Sequence, residues 1–294
     1  MALLEICNVS KGFHQNGQPK SRASRAAGST PDLIWGLPVL HNINLSIDEN
    51  EFVCIVGRSG SGKTTLISLI AGLLQPDEGI IMLDGKRIDG PGPDRGIVFQ
   101  NYSLLPWMTV FSNVYLAVDA VAPALSEAEK RERTNHFIRL VNLSAAVDKV
   151  PRELSGGMRQ RVAVARGLAM DPKVLLMDEP FSALDALTRA TLQEELARIW
   201  METQKTVVMI TNDIDEALLL ADSIYTLTSG PPATLGPAVR VAASHPRSRT
   251  QLSREPAYQR ARRETLGVLA SARRNGMSDP TQVEASVHWL ESME

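Results

Sequence analysis

Residues 52–64 read F-V-C-I-V-G-R-S-G-S-G-K-T, and this stretch decides the fold. Its first part, Phe52–Val56, is a continuous apolar run of the kind that forms a buried parallel strand. Gly57 interrupts the run, and a helical pattern follows over Lys63–Leu74. A strand, a glycine-rich turn and a helix in this order are the setting that a phosphate-binding loop requires, and Gly57–Thr64 fits the sequence pattern of such a loop. The alternative is a chance match in a glycine-rich turn.

The chemistry of this loop follows from its residue types. Glycines let the backbone bend so that successive N–H groups point inward at phosphate oxygens, and the positive end of the following helix adds to the attraction. Lys63 supplies a positive charge for the β- and γ-phosphates, and the hydroxyl of Thr64 supplies a ligand for Mg²⁺. Taken alone, the loop predicts binding of ATP or GTP. The predicted nucleotide-binding residues here are Gly57, Ser59, Gly60, Ser61, Gly62, Lys63, Thr64 and Thr65.

Two adjacent acids follow a second apolar run, V-L-L-M-D-E-P at residues 174–180. In parallel sheets, ligands bind outside the carboxyl ends of the strands. Asp178 is expected on the Mg²⁺ side of the phosphates, and Glu179 is expected to polarise the attacking water. Acidic residues at the end of a strand are more often simply solvated. The catalytic interpretation of this pair therefore depends on the presence of the phosphate loop. The two motifs together predict hydrolysis of the nucleotide.

A third motif, L-S-G-G-M-R-Q at residues 154–160, opens a helix. Ser155, Gly156 and Gly157 form a second anion site at a helix N-terminus. A plain helix cap is the alternative, because serine is a good capping residue. One chain already has its own phosphate loop, so a second phosphate site implies a composite site shared across a dimer.

The remaining pattern alternates strands with helices, which indicates an α/β domain with a largely parallel sheet. Residues 14–38 are polar and rich in turn formers, which predicts a flexible loop. Further strands are predicted at Leu3–Val9, Val39–Ile47, Val174–Met177 and Thr206–Ile210. Further helices are predicted at Ser126–Val141, Gly156–Met170, Leu187–Thr203 and Ala257–Ala272.

In order and spacing, these motifs resemble those of the ATP-binding subunits of ABC transporters. The resemblance also uses Gln100 in V-F-Q-N and S-A-L-D at residues 182–185, and it covers about residues 1–230. It implies a P-loop NTPase core of the ABC type, with ATP and Mg²⁺ as cofactors, an antiparallel β subdomain and a small helical subdomain at about residues 101–165. It divides the chain into an ATP-binding domain, residues 1–235, and a basic C-terminal extension, residues 236–294.

The resemblance also implies roles for single residues. Phe13 would stack on adenine, unless it is a core aromatic that ends the first strand. Gln100 would touch Mg²⁺ or the attacking water and sense a membrane partner. Ser155 and Gly157 would contact the γ-phosphate bound to a second subunit, and Asp185 would link the two sites across the dimer. The Mg²⁺ ligands implied in this way are Thr64, Gln100 and Asp178.

One position departs from the family pattern. The family has His after the strand that ends at Ile210, whereas this chain reads T-N-D-I-D-E-A with Asn212 in that place. The amide of Asn212 still donates a hydrogen bond, but it carries no positive charge and relays no proton. Two hypotheses follow: Asn212 preserves the contact and turnover survives, or the site binds ATP and hydrolyses it slowly. We favour the first, with Glu179, Gln100 and Asn212 as the predicted catalytic residues.

Other stretches narrow the group. The segment G-P-G-P-D-R-G-I-V-F-Q-N-Y-S-L-L-P-W, residues 90–107, resembles importers of nitrate, nitrite, cyanate, bicarbonate, sulfonates and taurine. The segment L-T-S-G-P-P-A-T-L-G and the tail favour the nitrate, cyanate and bicarbonate branch. We therefore expect the ATPase of a small-anion importer, for nitrate or nitrite. The alternatives are a sulfonate or taurine importer, a slow regulatory ATP-binding module, and a soluble relative acting in DNA repair or translation.

Membership of this family implies three kinds of partner: a second ATP-binding subunit, identical or a paralogue, multi-span membrane permease subunits and, indirectly, a periplasmic or lipid-anchored solute-binding protein. The aromatic and apolar residues near the start of the helical subdomain are the predicted permease docking patch, with internal packing as the alternative. They are Tyr102, Leu104, Leu105, Trp107 and Phe111.

Composition bounds the location and excludes one class of partner. A formal net charge of -2 argues against a nucleic-acid-binding protein. No run approaches the roughly 20 apolar residues that span a bilayer, and Met1–Phe13 lacks the basic start of a secretory signal. We expect a peripheral protein at the cytoplasmic face of the bacterial inner membrane. The basic tail, Arg240–Arg274, is a solvated helix face, a contact with anionic lipid, or a docking segment for the permease or the second copy.

Overall fold

Strands and helices alternate along most of the chain, of which the computed structural model describes residues 2–13, 37–230, 232–247 and 255–276. The strands are β1 (Ala2–Phe13), β2 (Leu37–Asp48), β3 (Phe52–Val56), β4 (Glu78–Leu83), β5 (Lys86–Arg87), β6 (Arg95–Val98), β7 (Val174–Asp178), β8 (Thr206–Thr211), β9 (Ser223–Thr226) and β10 (Val239–Arg240). The helices are α1 (Lys63–Ile70), α2 (Val110–Val121), α3 (Glu127–Leu140), α4 (Gly156–Ala169), α5 (Ala186–Thr203), α6 (Ile214–Leu220) and α7 (Pro256–Gly276). Most of the predicted flexible loop and the end of the predicted extension, residues 14–36 and 277–294, lie outside the described residues.

The central sheet has six strands in the order β10-β9-β3-β8-β7-β6. The strands from β9 to β6 pair in parallel, and β10 pairs antiparallel with β9. All residues of β3 are buried, and its side chains alternate between two core clusters: Phe52, Cys54 and Val56 on one face, Val53 and Ile55 on the other. The continuous apolar run is therefore a central strand covered on both faces, and the predicted largely parallel sheet is confirmed.

The order of the strands in this sheet differs from their order in the chain. β8 lies between β3 and β7, although it follows both of them in sequence. Because the three strands are parallel, their carboxyl ends meet at one edge of the sheet. The phosphate loop follows the end of β3, Glu179 follows the end of β7, and Asn212 follows the end of β8.

A second sheet is antiparallel, with the order β2-β1-β4-β5, which confirms the predicted antiparallel subdomain. β1 is longer than the predicted Leu3–Val9 because it pairs with β2 as far as Phe13 opposite Leu37. The inward side chains of β1, including Leu4 and Ile6, share a core cluster with α1 and one face of β3. The antiparallel sheet is thereby fixed against the helix that follows the phosphate loop.

Helices α2, α3 and α4 pack against one another and form the helical part of the fold. α3 begins with a capping box, in which Ser126 Oγ accepts from the Glu129 amide and the Glu129 carboxylate accepts from the Ser126 amide. α4 also packs against β6 and continues to Ala169. The predicted bounds of the subdomain, about residues 101–165, stay a prediction, as does the division into residues 1–235 and 236–294.

The first and the last predicted helix also differ from the structure. The helix expected over Lys63–Leu74 ends at Ile70, because Gly72 has a φ of 77° and the amides of Leu73 and Leu74 both donate to Ser68 O in a turn. The C-terminal helix is longer than expected and begins at Pro256, a residue suited to a first helical turn. Within the described ranges, no helix is both long and apolar enough to cross a bilayer.

Candidate nucleotide-binding and hydrolysis site

The phosphate loop connects β3 to α1, and the conformation of its glycines shapes it. Gly60 and Gly62 have φ angles of 80° and 91°, in the left-handed region that other residues disfavour. A Cβ atom on Gly62 would lie 2.9 Å from Val39 Cγ1 and 3.0 Å from Leu40 Cδ2, so the loop also lies close against β2. The N-cap residue of α1 is Gly62, which has no side chain with which to cap the helix. Uncapped first-turn amides are the arrangement that binds phosphate at helix N-termini.

The other predicted residues of the loop divide by exposure. Ser59 and Thr64 are exposed, whereas Ser61 is buried and Thr65 is half-buried in the first turn of α1. Ser61 Oγ has no hydrogen-bond partner among the described residues. A buried hydroxyl without a partner is costly unless a ligand satisfies it, so the loop fits a group that is rich in oxygen atoms.

Lys63 is buried and its ammonium group holds the loop together. Lys63 Nζ donates to Gly57 O at 3.0 Å and to Arg58 O at 2.8 Å. It also donates to Asn212 Oδ1 at 2.6 Å and lies 3.3 Å from Glu179 Oε1. The charge of Lys63 is therefore directed at the edge where β3, β8 and β7 end.

Thr64 and Asp178 form a second contact at this edge. Thr64 Oγ1 donates to Asp178 Oδ1 at 3.3 Å. Burial raises the pKa of the Asp178 carboxyl, and the hydrogen bond from Thr64 offsets part of that rise. A hydroxyl oxygen and a carboxylate oxygen are ligands that Mg²⁺ prefers, and a bound cation favours the ionised carboxylate. The pair therefore fits an Mg²⁺ ion.

Glu179 has an unusual backbone conformation. Its φ is 44°, in the left-handed region, and its amide donates to Ile210 O at 3.0 Å. Such a conformation costs about 1–3 kcal/mol in a residue with a side chain and occurs most often at functional sites. Here it turns the carboxylate towards β8, where Glu179 Oε1 accepts from Asn212 Nδ2 at 2.9 Å.

Asn212 uses both ends of its amide to join its neighbours. The oxygen accepts from Lys63 and the nitrogen donates to Glu179. This arrangement exists because β8 lies between β3 and β7 in the sheet. We call Lys63, Glu179 and Asn212 the strand-end junction. It places a cation, a carboxylate and a neutral amide in mutual contact, which suits the positioning of a water molecule next to a phosphate.

Gln100 and Phe13 are two further residues that the sequence predicts for the site. Gln100 Nε2 donates to Ser182 Oγ at 3.2 Å, and Ser182 Oγ donates to Glu179 O at 2.9 Å. The structure therefore connects Gln100 to the turn that carries Glu179. Phe13 is 42% exposed at the end of β1, with Lys11 Nζ 5.9 Å from its ring centre. It is a surface aromatic and not a core residue, and its stacking on adenine stays a prediction.

The signature segment, residues 154–160, packs against the start of α5. Ser155 caps α4, since its Oγ accepts from the Met158 amide at 3.2 Å. A Cβ atom on Gly157 would lie 2.8 Å from Thr188 Cγ2, and one on Gly156 would lie 3.1 Å from Leu184 Cδ2. The plain capping role is thus present, and the roles towards a second subunit stay predictions.

Asp185 likewise caps a helix. Its carboxylate accepts from the Thr188 amide at 3.0 Å at the start of α5. This backbone hydrogen bond lowers the pKa of the Asp185 carboxyl. Asp185 is therefore ionised and exposed at the end of the S-A-L-D turn, and its predicted link across a dimer stays a prediction.

Two arginines near the junction were not predicted from the sequence. A cavity of about 490 Å³ is lined by Glu179 and Asn212 together with Arg189 of α5 and Arg262 of α7. Arg189 lies on α5, four residues after its N-cap Asp185. The helical spacing from the S-A-L-D motif would therefore have indicated that Arg189 lies on the same side of the helix as Asp185. Arg262 lies 50 residues after Asn212 in a tail without a motif, and no sequence signal connects the two.

A second cavity, of about 680 Å³, lies beside the phosphate loop. Its walls come from Gly57, Ser59 and Asn212 on one side and from Leu266 and Leu269 of α7 on the other. The C-terminal helix is therefore part of the surroundings of the site and not a detached tail.

Comparison with known proteins identifies the family of this chain. Residues 40–182 match the family model described as ABC transporter. The bicarbonate transport ATP-binding protein CmpD of Synechococcus elongatus is 50% identical over 231 residues, which cover 79% of this chain and 83% of that protein. The nitrate import ATP-binding protein NrtD of the same species is 50% identical over 230 residues, covering 78% of this chain and 84% of that protein.

Solved structures give the same assignment. The dimeric, post-hydrolysis structure of the ATP-binding cassette MJ0796 bound to ADP and Pi superposes with a TM-score of 0.67 at 30% identity, and it covers 82% of this chain and 100% of that one. The structure of cbiO1 from Clostridium perfringens, part of the transporter complex cbiONQ, matches with a TM-score of 0.65 at 28% identity over 81% of this chain and 88% of that one. These similarities and the assembled site show that the chain belongs to the ATP-binding subunits of ABC transporters, the ATPases that couple ATP hydrolysis to transport.

Proposed function

We propose that this chain is the energy-coupling ATPase of an importer for a small inorganic anion, with nitrate or nitrite as the first candidates and bicarbonate as the next. The relatives named for nitrate import and for bicarbonate transport are equally similar, at 50% identity each, and both support this class of cargo. The strand-end junction is the observation that carries the ATPase part, because it brings the charge of Lys63 and the carboxylate of Glu179 to one point.

In the proposed reaction, the phosphate loop holds the β- and γ-phosphates of ATP through its amides and Lys63. Glu179 accepts a hydrogen bond from the attacking water and directs it in line with the γ-phosphate, and Asn212 Nδ2 holds the Glu179 carboxylate in that orientation. Thr64, Asp178 and Gln100 are the proposed Mg²⁺ ligands. When bound, Mg²⁺ neutralises negative charge that develops on the phosphates.

We propose that Asn212 takes the place of the family's histidine without loss of turnover. The contact with Glu179 needs one N–H donor, and the amide of Asn212 supplies it at 2.9 Å. We expect the steady-state ATPase rates of the natural protein and of Asn212→His to agree within about threefold, since a positioned acid–base group that was missing would change the rate by about 10²–10⁴-fold. A rise of more than about tenfold in the histidine variant would instead favour a slow, regulatory ATP-binding module.

We propose that two such subunits, identical or paralogous, close around two ATP molecules. The dimeric cassette structures with which the chain superposes support this. Ser155 and Gly157 of one subunit would then contact the γ-phosphate on the other, and Asp185 would join the two sites. Ser155 and Asp185 cap α4 and α5 and are exposed, so a second subunit can reach them, whereas Gly157 is buried in the first turn of α4.

We propose a smaller permease docking surface than the patch predicted from the sequence. Tyr102, Leu104 and Phe111 pack against the core, whereas Trp107 is 72% exposed. An exposed tryptophan is an effective anchor in protein interfaces. We propose that Trp107 contacts the multi-span permease subunits, and that the chain thereby works peripherally at the cytoplasmic face of the bacterial inner membrane. The solute-binding protein acts on the other side of the permease.

The whole assembly tests the proposal. The chain is expressed with the permease and solute-binding protein of its own operon, reconstituted in liposomes, and assayed for ATPase stimulation by nitrate, nitrite, bicarbonate and taurine. We expect stimulation by nitrate or nitrite, and loss of co-purification with the permease in Trp107→Ala but not in Leu116→Ala, a control at another exposed apolar residue of the helical subdomain. Stimulation by taurine alone would assign the chain to the sulfonate group. A chain that remains without a permease in cells expressing the operon would contradict the transport function.

A further inference from the structure

We propose that the C-terminal helix α7 sets the rate of ATP hydrolysis, with Tyr258 and Arg262 as positioning residues that act on Asn212 through Asp215. The inference rests on the proposed role of Asn212 in hydrolysis. It gives α7 a task within the cassette itself, in addition to any contact with lipid, permease or second copy.

The first step is the contact between α7 and α6. Tyr258 Oη donates to Asp215 Oδ1 at 2.9 Å, and Arg262 Nε donates to the same oxygen at 2.9 Å. Tyr258 and Arg262 are four residues apart, so they lie on one face of α7. Burial and the hydrogen bond to Asp215 raise the pKa of Tyr258 to about 12, so its hydroxyl remains a donor at neutral pH.

The second step connects Asp215 to the strand-end junction. The side chain of Asp213 accepts from the amides of Asp215 and Glu216 at 2.9 and 3.2 Å, which closes the first turn of α6 directly after Asn212. The Asp213 amide in turn donates to Thr211 Oγ1 at 3.0 Å. Asn212 is therefore held in a short, hydrogen-bonded segment between the end of β8 and the residue that α7 binds.

The third step is apolar. Ile214, the first residue of α6, and Leu269 of α7 pack against the same core cluster. Both side chains also line the cavity beside the phosphate loop. Arg262 lines the other cavity, together with Glu179 and Asn212. The Asn212 segment therefore faces α7 across both cavities. A movement of the helix changes the support of the amide that orients Glu179.

Exposure indicates that the ion pair in this contact positions residues more than it stabilises the fold. The side chains of Arg262 and Asp215 are 44% and 53% exposed, and ion pairs at such sites contribute little to folding stability. A hydroxyl and a guanidinium that converge on one carboxylate oxygen nevertheless fix the place of that oxygen. Loss of the contact should therefore affect the rate of hydrolysis more than the melting temperature.

The test uses the full chain with the substitutions Tyr258→Phe and Arg262→Gln, which keep the aromatic ring and the helix. Arg263→Gln is the matched control, because it removes the same charge from the neighbouring, exposed position of α7. We expect the double variant to lower kcat by about fivefold with ATP KM changed by less than about twofold, which is the pattern of a residue that acts on the chemical step. Arg263→Gln should change neither value, and Arg262→Lys should recover part of the rate.

A double-mutant cycle identifies the route. In an Asn212→Ala background, the same α7 substitutions should lower kcat by less than about 1.5-fold, because the residue through which they act is gone. Unchanged kcat in the double α7 variant, or an equal loss with and without Asn212, overturns the inference and leaves the ATPase function standing. If Asn212→Ala itself has no effect on kcat, the proposed role of Asn212 fails and the inference fails with it.

Discussion

The phosphate loop and the signature segment both place glycines at the start of a helix, but the glycines serve different purposes. In the phosphate loop, Gly60 and Gly62 have left-handed φ angles, and the N-cap residue of α1 is Gly62, which has no side chain. In the signature segment, Ser155 caps α4 in an ordinary way, and Gly157 has helical geometry that brings α4 close to Thr188. Gly60 and Gly62 shape a backbone cradle, whereas Gly157 lets α4 and α5 approach each other closely.

This difference separates two properties of the site. In the proposed function, the phosphate loop determines how well a single subunit binds ATP, because its backbone and Lys63 would contact the phosphates. The signature segment determines where the start of α4 lies relative to α5, and it should affect hydrolysis by an assembled pair without affecting binding by one subunit. The substitutions below test this separation, in order of decreasing expected effect.

Lys63→Ala should have the largest effect. Lys63 Nζ is the buried cation of the strand-end junction, and its removal leaves Glu179 without its positive neighbour. We expect ATPase activity to fall by about 10²–10³-fold, as happens when a preorganised charge is removed from a transition-state site. Phosphate release measures the rate, and Lys173→Ala, which removes a surface lysine paired with Asp84, is the control. Activity within tenfold of the natural protein would contradict the assignment.

Gly62→Ala should come next and should act on binding. The alanine Cβ would lie 2.9 Å from Val39 Cγ1 in a backbone with a φ of 91°, so the loop must move. We expect ATP affinity of the isolated subunit to fall by about tenfold or more, with a loss of about 1–3 kcal/mol in stability from the strained φ. Equilibrium binding of a fluorescent ATP analogue measures the affinity. Gly85→Ala serves as control, because its φ is 68° and a Cβ there meets nothing.

Gly157→Ala should have a smaller effect and should spare binding. The added Cβ would lie 2.8 Å from Thr188 Cγ2, which forces α4 and α5 apart. We expect the hydrolysis rate to fall by about fivefold with unchanged ATP affinity of the single subunit. The double variant Gly157→Ala/Thr188→Ser removes the clashing methyl group and should restore the rate. A loss of affinity as large as that of Gly62→Ala would show that the two segments are not separable.

Ser155→Ala should have the smallest effect of the four substitutions, and we expect that effect to be a loss of folding stability. It removes the hydroxyl that accepts from the Met158 amide, which typically costs about 0.5–2 kcal/mol in stability. Ser155→Asn keeps a capping oxygen and should recover most of this loss in a urea titration. The rate of ATP hydrolysis by an assembled pair of Ser155→Asn subunits then separates the capping role of Ser155 from its proposed contact with phosphate. If Ser155→Asn restores both stability and rate, Ser155 is only a cap.

The sequence predicts the parts of this site that are local in the chain. The apolar runs of β3, β7 and β8 and the motifs that follow them need no knowledge of the sheet, because each strand ends where its polar residues begin. The contact of Asn212 with Lys63 and Glu179 depends on β8 lying between β3 and β7, and that order is a property of tertiary packing. The same limit applies to α7, since only the folded chain brings Arg262 to Asp215.

The position of β8 in the sheet has a consequence for protein synthesis. Lys63 and Asn212 are 149 residues apart, yet they share a hydrogen bond. A nascent chain that ends before Thr206 already contains the phosphate loop, Asp178 and Glu179, but it lacks the strand that joins them. If the strand-end junction has its proposed role, ATP turnover can begin only after β8 has left the ribosome and entered the sheet between two strands made earlier. We therefore expect an unfinished cassette that lacks β8 to consume no ATP.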